Sequence, residues 1–254
     1  LNILYLKYLN SLLGDFFMKK TIAIVAVLAA ALSFASAKSY SFTFGAHGFF
    51  GEGWGASWDD GQNVPSDATK PFAANMLYGG GAFVNLPING TVGIQPEVNY
   101  MVNNAGYTGT STTSILGVSA TVTSANTLTY SSVDIPVFLT FKAQKFTLLA
   151  GPYISIPVST LNCAYTTTGS TNLSSSTGTS SGSSQYDLKK PVFGLALGAN
   201  VAERMGGQYL ILGARYMLDF SPVTTVETSN NTTTETKIYT RRGLTLDAGI
   251  RFAL

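Results

Sequence analysis

The sequence predicts an all-β chain, an eight-stranded antiparallel up-and-down transmembrane β-barrel. Three observations carry that expectation: segments in which apolar residues alternate with small or polar ones, a low content of charge, and an alternation of long and short connections between those segments. Residues 243–254 show the pattern most clearly. Leu244, Leu246, Ala248, Ile250, Phe252 and Leu254 hold one parity, while Gly243, Thr245, Asp247, Gly249, Arg251 and Ala253 hold the other. A strand points successive side chains to opposite faces, so this stretch has one wholly apolar face. It is expected to meet the first strand and close the barrel with its apolar face turned outward into lipid.

Composition bounds the remaining classes. Charged residues make up 11% of the 254-residue chain, against about 25% in an average soluble protein. Lys and Arg total 15 and Asp and Glu 13, which gives no basic surface for nucleic acid. Without residues 1–37 the balance is 12 against 12. Cys163 is the single cysteine, so neither an internal disulfide nor a thiolate metal cluster can form.

Residues 18–37 read as a cleaved secretory signal peptide. Met18, Lys19 and Lys20 precede an uncharged run over 21–32, and Ala35-Ser36-Ala37 follows as a small-residue cleavage site. The apolar core is shorter than the roughly 20 residues a spanning helix needs. Residues 1–17 fit no signal pattern and read as an upstream mis-start, with translation expected at Met18. The barrel is expected over 38–254.

Taken in order, residues 38–51 form the first strand, with Tyr40, Phe42, Phe44, Ala46 and Phe50 on the apolar parity. A polar, Gly-rich loop over 52–75 carries Trp54 and Trp58. Residues 76–86 and 91–102 follow as a hairpin whose turn contains Asn89-Gly90. After a second long loop, 103–127, strands are expected at 128–141 and 146–159. The third loop, 160–190, is a Ser/Thr/Gly segment too poor in apolar residues to order itself. Strands at 192–202 and 208–220, a fourth loop over 221–242 and the closing strand complete the set. An even strand number places the termini and the short turns on one side and the long loops on the other, the asymmetry of short periplasmic turns and long extracellular loops.

Period two alone does not say which face is outside. The second parity is mostly Gly, Ser, Thr, Ala and Asn, which suits a cramped lumen. Aromatics on the apolar parity lie near strand ends: Tyr40, Phe141, Phe146 and Phe252 at one rim, Phe50, Tyr100 and Phe220 towards the other. Such girdles sit at lipid–water interfaces.

Five stretches in order, GIQPEVNY (93–100), SSVDIPVFLTF (131–141), LLAGPYISIP (148–157), LILGARYML (210–218) and the last strand, resemble the outer-membrane β-barrel domain family that includes PorT-like and OmpX-like proteins. The resemblance spans about residues 40–254 and implies an eight-stranded outer-membrane barrel, with no shared catalytic motif to carry over. OmpW-like barrels, associated with passage of small hydrophobic molecules, are similar in shape; the long loops here exceed those of a minimal OmpX-like protein. Pro96, Pro136 and Pro152 fall inside proposed strands, where a closed barrel offers no edge for a missing N–H. Local bulges are expected to absorb them.

Inward parity places Glu97, Asp134, Arg215 and Asp247 in the lumen. Each lies six or seven residues from a short-turn or terminal end, so the four are expected to share one layer, with Arg251 below and Asp219 above. Three acids then face one Arg, so either water enters or one carboxyl is protonated. The functional reading is a gate or proton site; the structural one is an ion-pair network filling a lumen just wide enough for side chains. His47 is the only histidine and faces inward near the loop end of the first strand, but no spacing marks a triad. No cofactor or metal is expected, and the Gly51, Gly53, Gly55 run is not a phosphate loop, since no helix follows it. Trp54 and Trp58 are candidate surface-loop contacts or interface anchors, and no role is assigned to Cys163.

Three function classes follow: a surface structural or adhesive barrel, a narrow OmpW-like, porin-like channel for small hydrophobic solutes, and, last, an enzyme. The first is preferred and the expectation is no enzymatic activity. Expected partners are outer-membrane lipid, the outer-membrane assembly machinery and periplasmic chaperones, with room for an extracellular ligand. A monomer is expected. The ending Ile250, Phe252, Leu254 resembles the C-terminal signal read by that machinery, though a terminal aromatic is more usual than Leu.

Overall fold

Alternation sets the strands, and the strands build a ring. In the computed structural model, which describes residues 42–54, 75–115, 118–171, 174–188, 190–229 and 232–253, twelve strands run from β1 to β12. Eight of them form the barrel: β1 (Thr43–Trp54), β2 (Met76–Pro87), β3 (Val92–Ile115), β4 (Val118–Ala143), β5 (Phe146–Pro157), β8 (Val192–Met205), β9 (Gln208–Asp219) and β12 (Arg242–Ala253). Neighbours pair antiparallel in that order, and β12 returns to β1 from Thr43 opposite Ala253 to Trp54 opposite Arg242. Among the described residues no helix is long and apolar enough to cross a membrane; crossing by strands is a separate matter.

Burial settles which face is which. On β12 Gly243, Thr245 and Asp247 are buried, whereas Leu246 is 53% exposed. Leu139, Leu148, Phe193, Leu197 and Leu212 are likewise exposed on their strands, while Glu97, Asp134, Ser132 and Thr245 are almost fully buried. A soluble barrel would show the reverse. Aromatics mark both ends of the apolar belt: at one end Phe44 stacks on Phe252 at 5.3 Å and Phe141 and Phe146 are exposed on β4 and β5, and Phe50, Tyr78, Tyr100 and Phe220 are exposed at the other. Tyr40 lies outside the described residues.

Short connections close one end. Asn89 accepts hydrogen bonds from the Thr91 and Val92 amides at 2.8 and 2.7 Å, fixing the β2–β3 turn. Gly206, at φ 65°, supplies the left-handed position of the β8–β9 turn.

Three expectations are corrected by the structure. The loops expected at 103–127 and 160–190 continue as strands. β3 and β4 run 24 and 26 residues and stay paired as far as Ile115 opposite Val118. β6 (Leu161–Thr171) adds to the protruding part of β4, and β7 (Ser174–Tyr186) adds to β6. A polar segment can order without burying apolar area when a preformed strand offers its backbone. Ser/Thr cross-strand pairs such as Thr110–Thr123 (3.2 Å) and Thr112–Thr121 (3.1 Å) add to that pairing. In the fourth loop, β10 (Val223–Ser229) and β11 (Thr232–Tyr239) form a separate hairpin.

The prolines are not absorbed by bulges. Pairing is skipped at Val84–Asn85 opposite Gln95–Pro96, at Glu97–Val98 opposite Ile135–Pro136, and at Val137–Phe138 opposite Gly151–Pro152. The register is the same on both sides of each gap. A missing donor thus costs local ladder contacts and no residue is inserted. The third correction concerns Trp54, which ends β1 opposite Arg242 and is not a loop residue. Trp58, the rest of the 52–75 loop beyond Trp54 and short of Asn75, and the segments 1–17 and 18–37 lie outside the described residues.

Candidate functional site

The inward parity of the ring carries both large and very small side chains, and they fit by complement. A Cβ on Gly45 would lie 2.5 Å from the Phe83 ring, and one on Gly79 would lie 2.9 Å from Phe49. Glycine on one strand therefore makes room for an aromatic from the next. The lumen fills in stacked layers.

The layer nearer the short turns is centred on Arg215 of β9. Its guanidinium donates to Glu97 of β3 at 2.5 Å and lies 3.4 Å from Asp247 of β12. Gln95 and Asn99, two residues either side of Glu97, donate to its two carboxylate oxygens at 2.8 and 3.0 Å. His47, midway along β1, completes the layer: Nε2 meets Asn99 Oδ1 at 2.9 Å and Nδ1 meets an Arg215 nitrogen at 3.2 Å. Arg215 can only donate, and Asn99 presents its oxygen. Those partners fit a ring with its proton on Nε2.

A second layer lies nearer the long connections. Its centre is Arg241, which precedes β12, turns into the lumen and is fully buried. It reaches Asp134 of β4 and Asn103 of β3 at 2.9 Å each, and Asp219 of β9 at 3.4 Å. Its backbone amide also donates to Asp219 at 2.9 Å. Tyr153 donates its hydroxyl to Asp219 and places its ring 5.3 Å beneath the guanidinium. Ser132 and Ser155 donate to Asp134 at 2.8 and 2.5 Å. Each layer therefore holds one guanidinium between two carboxylates, with neutral donors meeting much of the remaining acceptor capacity.

Apolar side chains occupy the lumen with the two layers. Phe49, Met101, Phe138, Leu149, Tyr153, Ala196 and Met217 form one buried cluster, and the Arg215 guanidinium lies 5.4 Å from the Phe138 ring. Ala105, Leu128, Tyr130, Leu161, Val192 and Val223 form another, in which β6 and β10 meet the ring strands, and Cys163 packs against it, partly buried. At the short-turn mouth Arg251 stacks over Tyr209 at 4.9 Å.

The structure thus brings Glu97, Arg215 and Asp247 together, adds His47, and sets Asp134 apart. Counting residues from the turns put all four in one layer, but barrel strands tilt and stagger, so equal counts are not equal heights. Asp134 stands opposite Asn99, two residues beyond Glu97. Asp219 belongs to Asp134's layer. Against the excess of three acids over one Arg the structure adds Arg241 as a second cation, and with Asp219 included the two layers set two guanidinium groups against four carboxylates. That excess was the one sign of Arg241 in the sequence, since no strand pattern covers residue 241. Among the described residues no group of His, Cys, Asp and Glu is arranged to hold a metal ion.

The family described as outer membrane protein beta-barrel domain matches residues 34–225. The chain belongs to that family. It is an outer-membrane protein, embedded in membrane lipid through the apolar belt of its barrel. Among solved structures, this outer-membrane barrel is similar to OprG from Pseudomonas aeruginosa at 11% identity and a TM-score of 0.44, covering 85% of this chain and 97% of that one. It is also similar to a major outer membrane protein from Thermus thermophilus (13%, TM-score 0.38, 85% and 100%) and to Ail of Yersinia pestis (13%, TM-score 0.34, 84% and 99%). No curated protein matches the sequence.

Proposed function

We propose that this outer-membrane barrel is a closed-lumen surface protein that acts by contact, as a structural or adhesive barrel, with its short turns in the periplasm and its long strands outside the cell. The observation that carries this reading is the contrast between a lumen crossed by two buried ion-pair layers and the overshoot of β3 and β4. Their excess of about a dozen residues over β2 and β5 extends the pairing by roughly 40 Å along the strands. β6 and β7 widen that extension with Ser, Thr and Gly. Such a sheet presents hydroxyls and backbone edges, and it carries few charges.

The narrow-channel reading requires a solute to displace Arg215 and Arg241 from the carboxylates that hold them. The enzyme reading requires a base with a free nitrogen, and both ring nitrogens of His47 are engaged by Asn99 and Arg215. The test is attachment by cells carrying the full chain or a chain shortened between residues 162 and 185, on surfaces coated with matrix protein or sulfated polysaccharide and in cell–cell clumping. Attachment that depends on the hairpin supports the reading. Equal behaviour of both cell types in all three formats removes the adhesive role.

A further inference from the structure

The lumen has a mouth below the Arg215 layer, and its chemistry differs from that of the two layers. Lys142 of β4, Arg204 of β8 and Arg251 of β12 share the inward parity at the short-turn end. Arg204 bonds the Gly206 carbonyl at 3.2 Å. The other two line a cavity of about 210 Å³ together with Asn85, Thr140, Thr147 and Tyr209, and among the described residues no Asp or Glu lines it. Two acids of the flanking strands are paired with other cations: Asp247 with Arg215, and Glu203 with Lys145 at 2.6 Å.

Arg251 is built into this wall. Tyr209 holds its guanidinium plane at 4.9 Å, and Nε is buried without a hydrogen-bond partner among the described residues. A partly buried guanidinium with an unmet donor is costly unless an acceptor reaches it. Thr140 accepts from Asn85 Nδ2 at 3.4 Å, which leaves its own O–H to donate. The wall therefore offers two cations and hydroxyl donors around a concave space. That space is smaller than the roughly 300–1,000 Å³ of sites for drug-sized ligands and suits a headgroup-sized group.

We propose that this vestibule is an oxyanion-binding site, taking a phosphate or carboxylate group between Arg251 and Lys142 with a hydroxyl of Thr140 or Thr147. Guanidinium–oxyanion pairing is charge-assisted, and an anion in the cavity would compensate a guanidinium whose Nε is itself shielded within the wall. The source of the group is either the headgroup of an anionic lipid or a soluble anion. The inference stands whether or not the surface sheet binds a partner.

The test is ¹⁵N NMR of the Arg251 Nε in the full chain, first in maltoside micelles titrated with inorganic phosphate against chloride at equal ionic strength. A saturable shift with phosphate alone is expected, with affinity weakened about tenfold in Lys142→Gln, the loss of one charge-assisted partner, and abolished in Arg251→Gln. In nanodiscs, a shifted resonance with phosphatidylglycerol but not with phosphatidylcholine, before any phosphate is added, assigns the site to a lipid headgroup. A response only to added phosphate assigns it to a soluble anion. Lys142 is exposed, so its variant keeps heat-modifiable migration and remains informative if Arg251→Gln does not fold. No saturable shift in either medium, an equal response to chloride, or unchanged affinity in Lys142→Gln overturns the proposal.

Discussion

Removing Arg241 tests the upper layer where its energetics are sharpest. Arg241→Ala leaves Asp134 and Asp219, with side chains 0 and 1% exposed, without the guanidinium that lies 2.9 and 3.4 Å from them. Breaking a buried pair by deleting one partner costs about 3–5 kcal/mol, because an uncompensated charge remains buried. The exposed Lys145–Glu203 pair is an internal control, since Glu203→Gln removes an ion pair worth about 0–1 kcal/mol. Urea unfolding in detergent micelles, followed by tryptophan fluorescence, should give Arg241→Ala a loss of about 3–5 kcal/mol and Glu203→Gln almost none. Arg241→Met with Asp134→Asn and Asp219→Asn should recover most of that loss, because neutral carboxamides then replace the buried carboxylates. If Arg241→Ala lies within about 1 kcal/mol of Glu203→Gln, the level expected of a surface pair, the buried layer does not exist as described.

Three further outcomes follow from the same geometry. Leu212→Arg, at mid-height on the outer face where Leu212 is 55% exposed, should cost about 2–4 kcal/mol in lipid vesicles, whereas Met205→Arg beside a short turn should cost about 0–1 kcal/mol; equal costs would place the belt elsewhere. Gly81→Ala drives a Cβ into Asn99 Oδ1, well inside contact distance, so it should lower stability by about 1–3 kcal/mol and shift the His47 ring resonances. Unchanged resonances would mean that Asn99 does not hold the ring. Deleting residues 162–185 should leave heat-modifiable migration intact, because β6 and β7 pair with the protruding part of β4 and not with the ring. Loss of the folded band would show that the hairpin supports the barrel.

The ring was legible in the sequence because its two faces meet different solvents. β12 alternates Leu with Gly, Thr and Asp, and lipid on one side against a packed lumen on the other enforces that alternation. The same physics hides the extension. Over 103–127 and 160–187 most side chains on both strand faces are polar or small, with residues such as Tyr107, Val122, Leu161 and Tyr165 too sparse to set a period of two, and Thr or Ser reads alike in a loop or a strand. The site was legible in part for a related reason. Parity tells that Glu97, Asp134, Arg215 and Asp247 point inward, but height depends on stagger, which is a property of the closed ring. Arg241 enters the lumen from outside any strand, so only tertiary structure finds it. Pro96, Pro136 and Pro152 were visible as ladder breaks, yet the choice between a bulge and a skipped pair lies in the register of three neighbouring strands.

Single-channel recording of the full chain in a planar bilayer bears most directly on the closed lumen. Two layers in series predict no conductance steps from the wild-type protein, nor from Arg215→Ala or Arg241→Ala alone, and steps only when both substitutions are combined. Reproducible ohmic steps from the wild-type chain would contradict the account.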